Sequence, residues 1–97
     1  MTTKIKVYIN EKLEYSTNIP THAFIYSTLR GYYNCPKERV KEIHDLIWKI
    51  YLRNLKINLE FAIAYIYKHY DELKHLSYDL IIHKINTYYL YNEGGIK

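Results

Sequence analysis

Four side chains that can bind a metal ion or move a proton recur at helical spacing in the segment HYDELKHLSYDLIIH, residues 69–83. They are Glu72, His75, Asp79 and His83. At about 100° per residue in a helix, these four positions fall within an arc of about 80°. Neutral imidazoles and carboxylates that converge from one side are the ligands of zinc and related ions. The spacing therefore indicates a possible metal-binding face, with His75, Asp79 and His83 as the candidate ligands.

The same stripe also fits a water-exposed helix face on which Asp79 pairs with a histidine. A single helix seldom supplies three ligands, and the stripe lacks the HExxH arrangement of zinc enzymes. The sequence has no Gly-rich phosphate loop, no GxSxG motif and no cysteine with a base at a recognised spacing. We therefore expect a protein that is not an enzyme and that has no cofactor and no bound metal. A metal-dependent enzyme that uses residues 72–83 is the remaining enzymatic alternative.

Length and composition predict one folded domain. The chain has 97 residues, of which 48% are hydrophobic and 25% are charged. Its apolar runs fall short of the roughly 18 residues of a membrane span, and the start MTTKIKVYIN alternates where a signal peptide would be continuously apolar. We expect a cytoplasmic protein with no membrane partner. Cys35 is the only cysteine, so an internal disulfide is excluded.

The net charge of +4 is concentrated in residues 30–56. The candidate basic face of this segment consists of Lys41, Lys49, Arg53 and Lys56. Basic side chains at helical spacing can follow a phosphate backbone, and nearby tyrosines can stack on bases. The alternative is an ordinary solvated face, because Glu42 and Asp45 interrupt the basic one.

The first 19 residues are predicted to form a β-hairpin. Apolar residues alternate with others from Ile5 to Ile9, which is the pattern of a half-buried strand. The turn is expected at residues 10–12, because asparagine tolerates the left-handed backbone region. In the second strand, Leu13 and Tyr15 are expected to share one face. Because a two-stranded ribbon is marginal alone, it must pack on the helices or pair with a second chain.

Residues 21–92 are predicted to form three to four helices. The first ends at Gly31, and the second starts at Pro36 and runs to about Arg53 with one apolar face. The hairpin and these helices make an α+β fold, which we assign to a single domain of residues 1–97.

The helical part has one ambiguous segment. Residues 54–67 alternate as a strand would, but they also fit a buried helix that Asn58 caps. We favour the helix because Ala62 and Ala64 lie within the segment and no turn signal separates it from its helical neighbours. The last helix is predicted for residues 71–91, before a loose tail at residues 93–97.

The last predicted helix carries two apolar stripes on different faces. One stripe contains Leu73, Leu76, Leu80 and Tyr91, and the other contains Tyr78, Ile82, Ile85 and Tyr89. One short chain has little material to cover both stripes, so we expect a homodimer, either intertwined or packed helix to helix. Near the C-terminus, the exposed tyrosine candidates for a partner surface are Tyr88, Tyr89 and Tyr91.

The chain has 13 Tyr and 14 Ile but only two Val and no Gln. In this composition, over the whole chain, it resembles the small orphan proteins of filamentous and rod-shaped viruses of hyperthermophilic archaea. The resemblance implies a thermostable, virus-encoded protein of the host cytoplasm or the virion. The first expectation is therefore a non-enzymatic homodimeric interaction protein that acts through a surface on a host or virion partner. The alternative is a nucleic-acid-binding protein that uses a basic helix at residues 36–56.

Overall fold

The structure, a computed structural model, describes residues 3–92, with the backbone alone described at residues 91 and 92. Two strands are followed by five α-helices in this range. The elements are β1 (Ile5–Ile9), β2 (Lys12–Thr17), α1 (Pro20–Ser27), α2 (Lys37–Arg53), α3 (Leu59–Lys68), α4 (Tyr70–Leu73) and α5 (Tyr78–Asn92). The predicted α+β fold with an N-terminal hairpin is confirmed. The loose tail predicted at residues 93–97 lies outside the described residues.

The chain divides into two compact units, Met1–Asp45 and Leu46–Lys97. The boundary falls within α2, so this helix contributes residues to both units. The assignment of the whole chain to a single domain stays a prediction.

The hairpin has a two-residue turn. β1 and β2 pair in antiparallel fashion, from Ile5 opposite Thr17 to Ile9 opposite Lys12. Asn10 and Glu11 connect them with φ angles of 52° and 67°. Left-handed backbone at both positions is what a type I′ turn requires, and this turn matches the right-handed twist of the strands.

Glu14 is an extra residue in β2. Val7 pairs with Tyr15 and Tyr8 pairs with Leu13, so Glu14 lies between two paired positions as a β-bulge. A bulge shifts the alternation of side chains along a strand. Leu13 is therefore 53% exposed while Tyr15 is half-buried. The prediction that Leu13 and Tyr15 share one face is wrong for this reason.

The helical part of the first unit begins with α1, which has Pro20 at its first position, where the missing N–H costs nothing. A π-helical turn, Thr28–Tyr32, continues from it. Gly31 lies inside this turn, so it does not end the helix as predicted. The left-handed residue that follows is Asn34, with a φ angle of 57°.

Each unit has its own buried apolar residues. In the first unit they are Val7, Ala23, Ile25, Tyr26, Leu29, Cys35, Val40 and Ile43. In the second unit they are Ile47, Ile50, Ile57, Ala62, Ile63, Ile66, Tyr70, Leu73, Ile81 and Ile85. The buried positions of α2 recur every three to four residues, which is the amphipathic pattern that the sequence predicts for this helix.

Asn58 begins α3. Its Oδ1 accepts a hydrogen bond from the N–H of Phe61 at 2.8 Å, which is the geometry of a side-chain N-cap. The helix favoured for residues 54–67 is therefore confirmed from Leu59 onward, and the preceding residues form a connection.

The helix predicted over residues 71–91 is interrupted. α4 ends at Leu73 and α5 begins at Tyr78, with a turn between them. The side chain of Ser77 explains the second start, because its Oγ accepts a hydrogen bond from the N–H of Leu80 at 3.2 Å. One long helix is thus replaced by a single helical turn, a loop and a capped helix.

Burial on α4 and α5 does not follow the two predicted apolar stripes. Leu73 is buried, whereas Leu80 of the same stripe is 42% exposed. Ile85 is buried, whereas Tyr78 of the other stripe is 36% exposed. The first stripe crosses the interruption between α4 and α5, so its angular spacing does not carry through. The second stripe lies wholly on α5, and its residues differ in burial. The homodimer stays a prediction.

Candidate functional site

The interruption between α4 and α5 divides the predicted metal-binding stripe. Glu72 lies on α4 and His75 lies in the following turn, whereas Asp79 and His83 lie on α5. The four positions therefore do not share one helix face. Within residues 3–92, no group of three His, Cys, Asp or Glu side chains is placed to hold a metal ion.

Asp79 is bound by Arg53. Arg53 donates from Nε to Oδ1 of Asp79 at 2.7 Å and from Nη2 to Oδ2 at 3.1 Å. These hydrogen bonds lower the pKa of the Asp79 carboxyl. Both side chains are exposed, so water and salt screen the pair. Asp79 is a candidate metal ligand and Arg53 is a candidate phosphate contact. In the structure, each of these two side chains binds the other.

The other residues of the predicted basic face are exposed lysines. Lys41 belongs to the first unit, and Lys49 and Lys56 belong to the second. α2 ends at Arg53, so Lys56 lies in the connection to α3 and not on the predicted basic helix. In the second unit, exposed Lys49 therefore lies on α2, and exposed Lys56 lies in the connection to α3.

Tyr88 and Tyr89, two of the predicted surface tyrosines, pack against α3. The ring centroid of Phe61 lies 5.8 Å from that of Tyr88 and 5.2 Å from that of Tyr89. The ring of Tyr65 lies 5.2 Å from that of Tyr88. We call Phe61, Tyr65, Tyr88 and Tyr89 the aromatic surface. The side chain of Tyr91, the third predicted tyrosine, lies outside the described part of the chain.

A four-residue repeat on α3 builds half of the aromatic surface. Phe61 and Tyr65 are one helical turn apart on α3, and His69, the C-cap residue after the helix, follows Tyr65 by another four residues. The Tyr65 ring is 6.4 Å from Phe61 and 4.6 Å from His69. The repeat is visible in the sequence, but the strand-like alternation of residues 55–67 obscures it.

The aromatic surface is partly open to solvent. Tyr88 is 47% exposed, and Phe61, Tyr65 and Tyr89 are half-buried. Burial raises the pKa of the Tyr65 hydroxyl, and the nearby charge of Glu72 adds to this. Rings that are held by packing and keep an accessible portion are suited to stacking on a planar group or to an apolar contact.

Basic side chains lie beside the aromatic surface. One small hollow next to Tyr65 and Tyr88 is lined by Lys68. A second hollow next to the same two rings is lined by Lys84 and His83. The predicted metal ligand His83 is thus a neighbour of the aromatic surface. The two lysines were not among the predicted site residues, because their role depends on rings that are distant in sequence.

A group of ionisable side chains lies in the first unit. Glu14 accepts hydrogen bonds from the Tyr26 hydroxyl at 2.5 Å, from Arg30 Nε at 2.6 Å and from Arg30 Nη2 at 2.9 Å. Arg30 Nη1 donates to the carbonyl oxygen of Cys35 at 2.9 Å. The bonds from Arg30 lower the pKa of Glu14 to about 2, and burial together with Glu14 raises the pKa of Tyr26 to about 12. These groups bind one another, so they connect the hairpin to the helical part of the unit.

His22 and His44 form another polar contact in the first unit. His22 Nδ1 lies 3.1 Å from His44 Nε2, and His44 Nδ1 lies 3.4 Å from Asp45 Oδ1. Only 7% of His44 is exposed, and its burial lowers its pKa. The Asp45 carboxylate can only accept a hydrogen bond, so neutral His44 carries its proton on Nδ1 and donates to it. The unprotonated Nε2 of His44 then accepts a hydrogen bond from Nδ1 of His22. The contact connects α1 to α2, and sequence spacing gives no sign of it.

Comparisons with known proteins leave the family open, since no family model, no curated protein and no solved structure matches the chain. Among residues 3–92, none of the helices has both the length and the apolar character needed to cross a membrane. The viral resemblance and the cytoplasmic location stay predictions.

Proposed function

We propose that this chain is a non-enzymatic binding protein that contacts single-stranded nucleic acid through the aromatic surface. The observation that carries the proposal is the exposed ring of Tyr88, held beside Phe61 and Tyr65 at centroid distances of 5.8 Å and 5.2 Å. Unpaired bases stack on such rings with little regard to sequence, and each stacked base contributes about 1–3 kcal/mol. Rings that are already held by packing lose little freedom when a base binds.

The charge around the rings supports the same partner. Lys68 and Lys84 lie beside Tyr65 and Tyr88, and the chain has a net charge of +4 and a pI of 9.1. Cationic side chains bind a phosphate backbone by releasing its counterions, while the rings hold the bases. The combination of stacking rings and flanking cations is typical of proteins that bind single strands.

The aromatic surface is a better-supported nucleic-acid site than the basic helix expected at residues 36–56. Arg53 is engaged by Asp79, and Lys56 lies beyond the end of α2.

Fluorescence anisotropy with a labelled single-stranded DNA of about 20 nucleotides tests the proposal. Tyr88→Ala removes the most exposed ring of the aromatic surface, and we expect it to weaken binding by about 5- to 100-fold. The matched control is Tyr32→Ala, which removes a tyrosine that is 77% exposed in the first unit. The control variant should bind like the wild type. Equal losses in the two variants, or no binding by the wild type, would contradict the proposal.

A second candidate function is self-association through the outer side of α5, which would give the expected homodimer. Leu80 and Leu90 are 42% and 49% exposed, and they lie on a different side of α5 from the buried Ile81 and Ile85. Light scattering over a range of concentrations tests it. A mass of 11.8 kDa that does not rise with concentration would remove this candidate. A dimer that Leu80→Ser and Leu90→Ser dissociate would support it.

A further inference from the structure

A groove lies next to the aromatic surface, between the connection that precedes α3 and the helix α5. Its volume is about 570 Å³, and it is open to solvent. Small-molecule sites in proteins typically have volumes of about 300–1,000 Å³. The apolar part of its lining consists of Ile57, Ile85, Phe61 and Tyr89, of which the two isoleucines are buried. These side chains offer a flat ligand an apolar and aromatic contact.

The polar part of the lining consists of Asn54, Lys56, Asn58 and Asn86. Oδ1 of Asn54 accepts from the N–H of Lys56 at 3.3 Å, and Oδ1 of Asn58 accepts from the N–H of Phe61 at 2.8 Å. A backbone N–H only donates, so these bonds determine which way each amide points. The Nδ2 groups of Asn54 and Asn58 are then available to donate to a ligand.

The lining is therefore rich in hydrogen-bond donors. Two oriented amide groups and the exposed ammonium group of Lys56 can all donate, and none of the eight lining residues carries a carboxylate. A complementary ligand has acceptor oxygens and a negative charge, and the rings of Phe61 and Tyr89 favour one that also has a planar ring. A nucleotide combines these properties.

We propose that the groove holds one nucleotide of a bound single strand, with its phosphate at Lys56 and its base against Tyr89 and Phe61. This inference rests on the proposed function, and it identifies the site that binds one nucleotide of the strand. Asn86 lies on α5 and lines the groove. Its amide both donates and accepts, so it can bind the edge of a base that stacks on the neighbouring ring.

The test uses the same anisotropy titration with two substitutions in the groove. Lys56→Gln should weaken binding by about 3- to 10-fold and should reduce the slope of log affinity against log salt by about 1, because one phosphate contact is lost. Asn86→Ala should weaken binding by about 2- to 10-fold. Asn54 and Asn58 stay unchanged, because their side chains also bind the backbone.

Lys49→Gln is the matched control for the change of charge. Lys49 is exposed on α2 and does not line the groove, so this variant should keep the wild-type slope. Asn18→Ala, which changes an exposed asparagine of the first unit, is the control for Asn86→Ala. If each groove variant behaves like its control while Tyr88→Ala weakens binding, the groove inference is wrong and the proposed function stands. If the wild type does not bind the strand, both are wrong.

Nuclear magnetic resonance gives a readout that does not depend on affinity differences. The side-chain amide signals of Asn54, Asn58 and Asn86 should shift when the unlabelled strand is added to the wild-type protein. The amide of Asn18, which lies in the first unit, should not shift. Shifts at Tyr65 and Tyr88 without any change in the three groove amides would overturn the inference.

Discussion

Arg30 donates two hydrogen bonds to the carboxylate of Glu14, from Nε at 2.6 Å and from Nη2 at 2.9 Å. This two-pronged contact is the strongest form of an arginine–carboxylate pair. Only 9% of the Glu14 side chain and 17% of the Arg30 side chain are exposed, so water screens the pair weakly. Because Glu14 is the extra residue of the β-bulge, the pair connects the irregular point of β2 to the π-helical turn.

Replacing Glu14 with Gln is expected to lower the free energy of unfolding by about 2–3 kcal/mol. Glutamine keeps the size of the side chain, but it removes the charge that Arg30 binds and one of the two acceptor oxygens. Urea denaturation at neutral pH measures the loss. Glu11→Gln is the matched control, because it neutralises an exposed carboxylate in the turn. A loss no larger than that of the control would show that the pair does not stabilise the fold.

The same carboxylate predicts a loss of stability in acid. The hydrogen bonds from Arg30 lower the pKa of Glu14 from 4.5 to about 2 in the folded chain. Between these pH values the unfolded chain binds a proton that the folded chain does not bind, so the free energy of unfolding decreases as the pH falls through this window. Above it, the contribution of Glu14 is complete. The Glu14→Gln variant should therefore lose less stability than the wild type between pH 4.5 and about 2, and parallel curves would contradict the assignment.

His44 predicts a second loss of stability, at higher pH. Its burial lowers its pKa below the ordinary value of 6.5, and the neighbouring His22 adds to this while Asp45 opposes it. As the pH falls below 6.5, the unfolded chain takes up a proton that the folded chain excludes, so the free energy of unfolding decreases. Protonation would also place an N–H on Nε2, facing the donor Nδ1 of His22.

Denaturation at pH values of about 7.5 and 5.5 measures this effect. The His44→Gln variant should show a smaller difference between the two pH values than the wild type. The same difference in both proteins would mean that the buried His44 does not cause the pH dependence of stability.

Glu11 predicts a stabilising substitution. Its φ angle of 67° places a residue with a Cβ in the left-handed region, which glycine adopts without steric cost. Glu11→Gly should raise the free energy of unfolding by about 0.5–1 kcal/mol, because the gain in the turn exceeds the larger entropy of the unfolded glycine chain. Lys12→Gly, one residue later in β2, should destabilise the fold. A destabilised Glu11→Gly variant would contradict the type I′ turn.

Features of the fold with a local cause were predictable from the sequence. Asn10 indicates a turn because it tolerates left-handed backbone, and Asn58 indicates a helix start because its side chain can cap one; both features occur. The interruption before Ser77 was missed, since neither Gly nor Pro marks it. The bulge at Glu14 was missed as well, because the register of a strand depends on its partner.

The candidate site was only partly predictable. Tyr88 and Tyr89 stand out as a run of aromatic residues, but their contacts with Phe61 come from the packing of α3 and α5, which are separated along the chain. The pairing of Arg53 with Asp79 joins positions 26 residues apart. The spacing of residues within one helix cannot show that Arg53 and Asp79 bind each other. The sequence therefore predicts Asp79 as a metal ligand and Arg53 as a phosphate contact.

The salt dependence of single-strand binding by the wild-type protein tests the central claim most directly. Three phosphate contacts, at Lys56, Lys68 and Lys84, would give a slope of about −2 for log affinity against log salt. The affinity for single-stranded DNA should then fall by about 20-fold between about 50 and 200 mM salt. A fall of less than about twofold, or no binding at about 50 mM, would contradict the account and would leave a protein partner as the occupant of the aromatic surface.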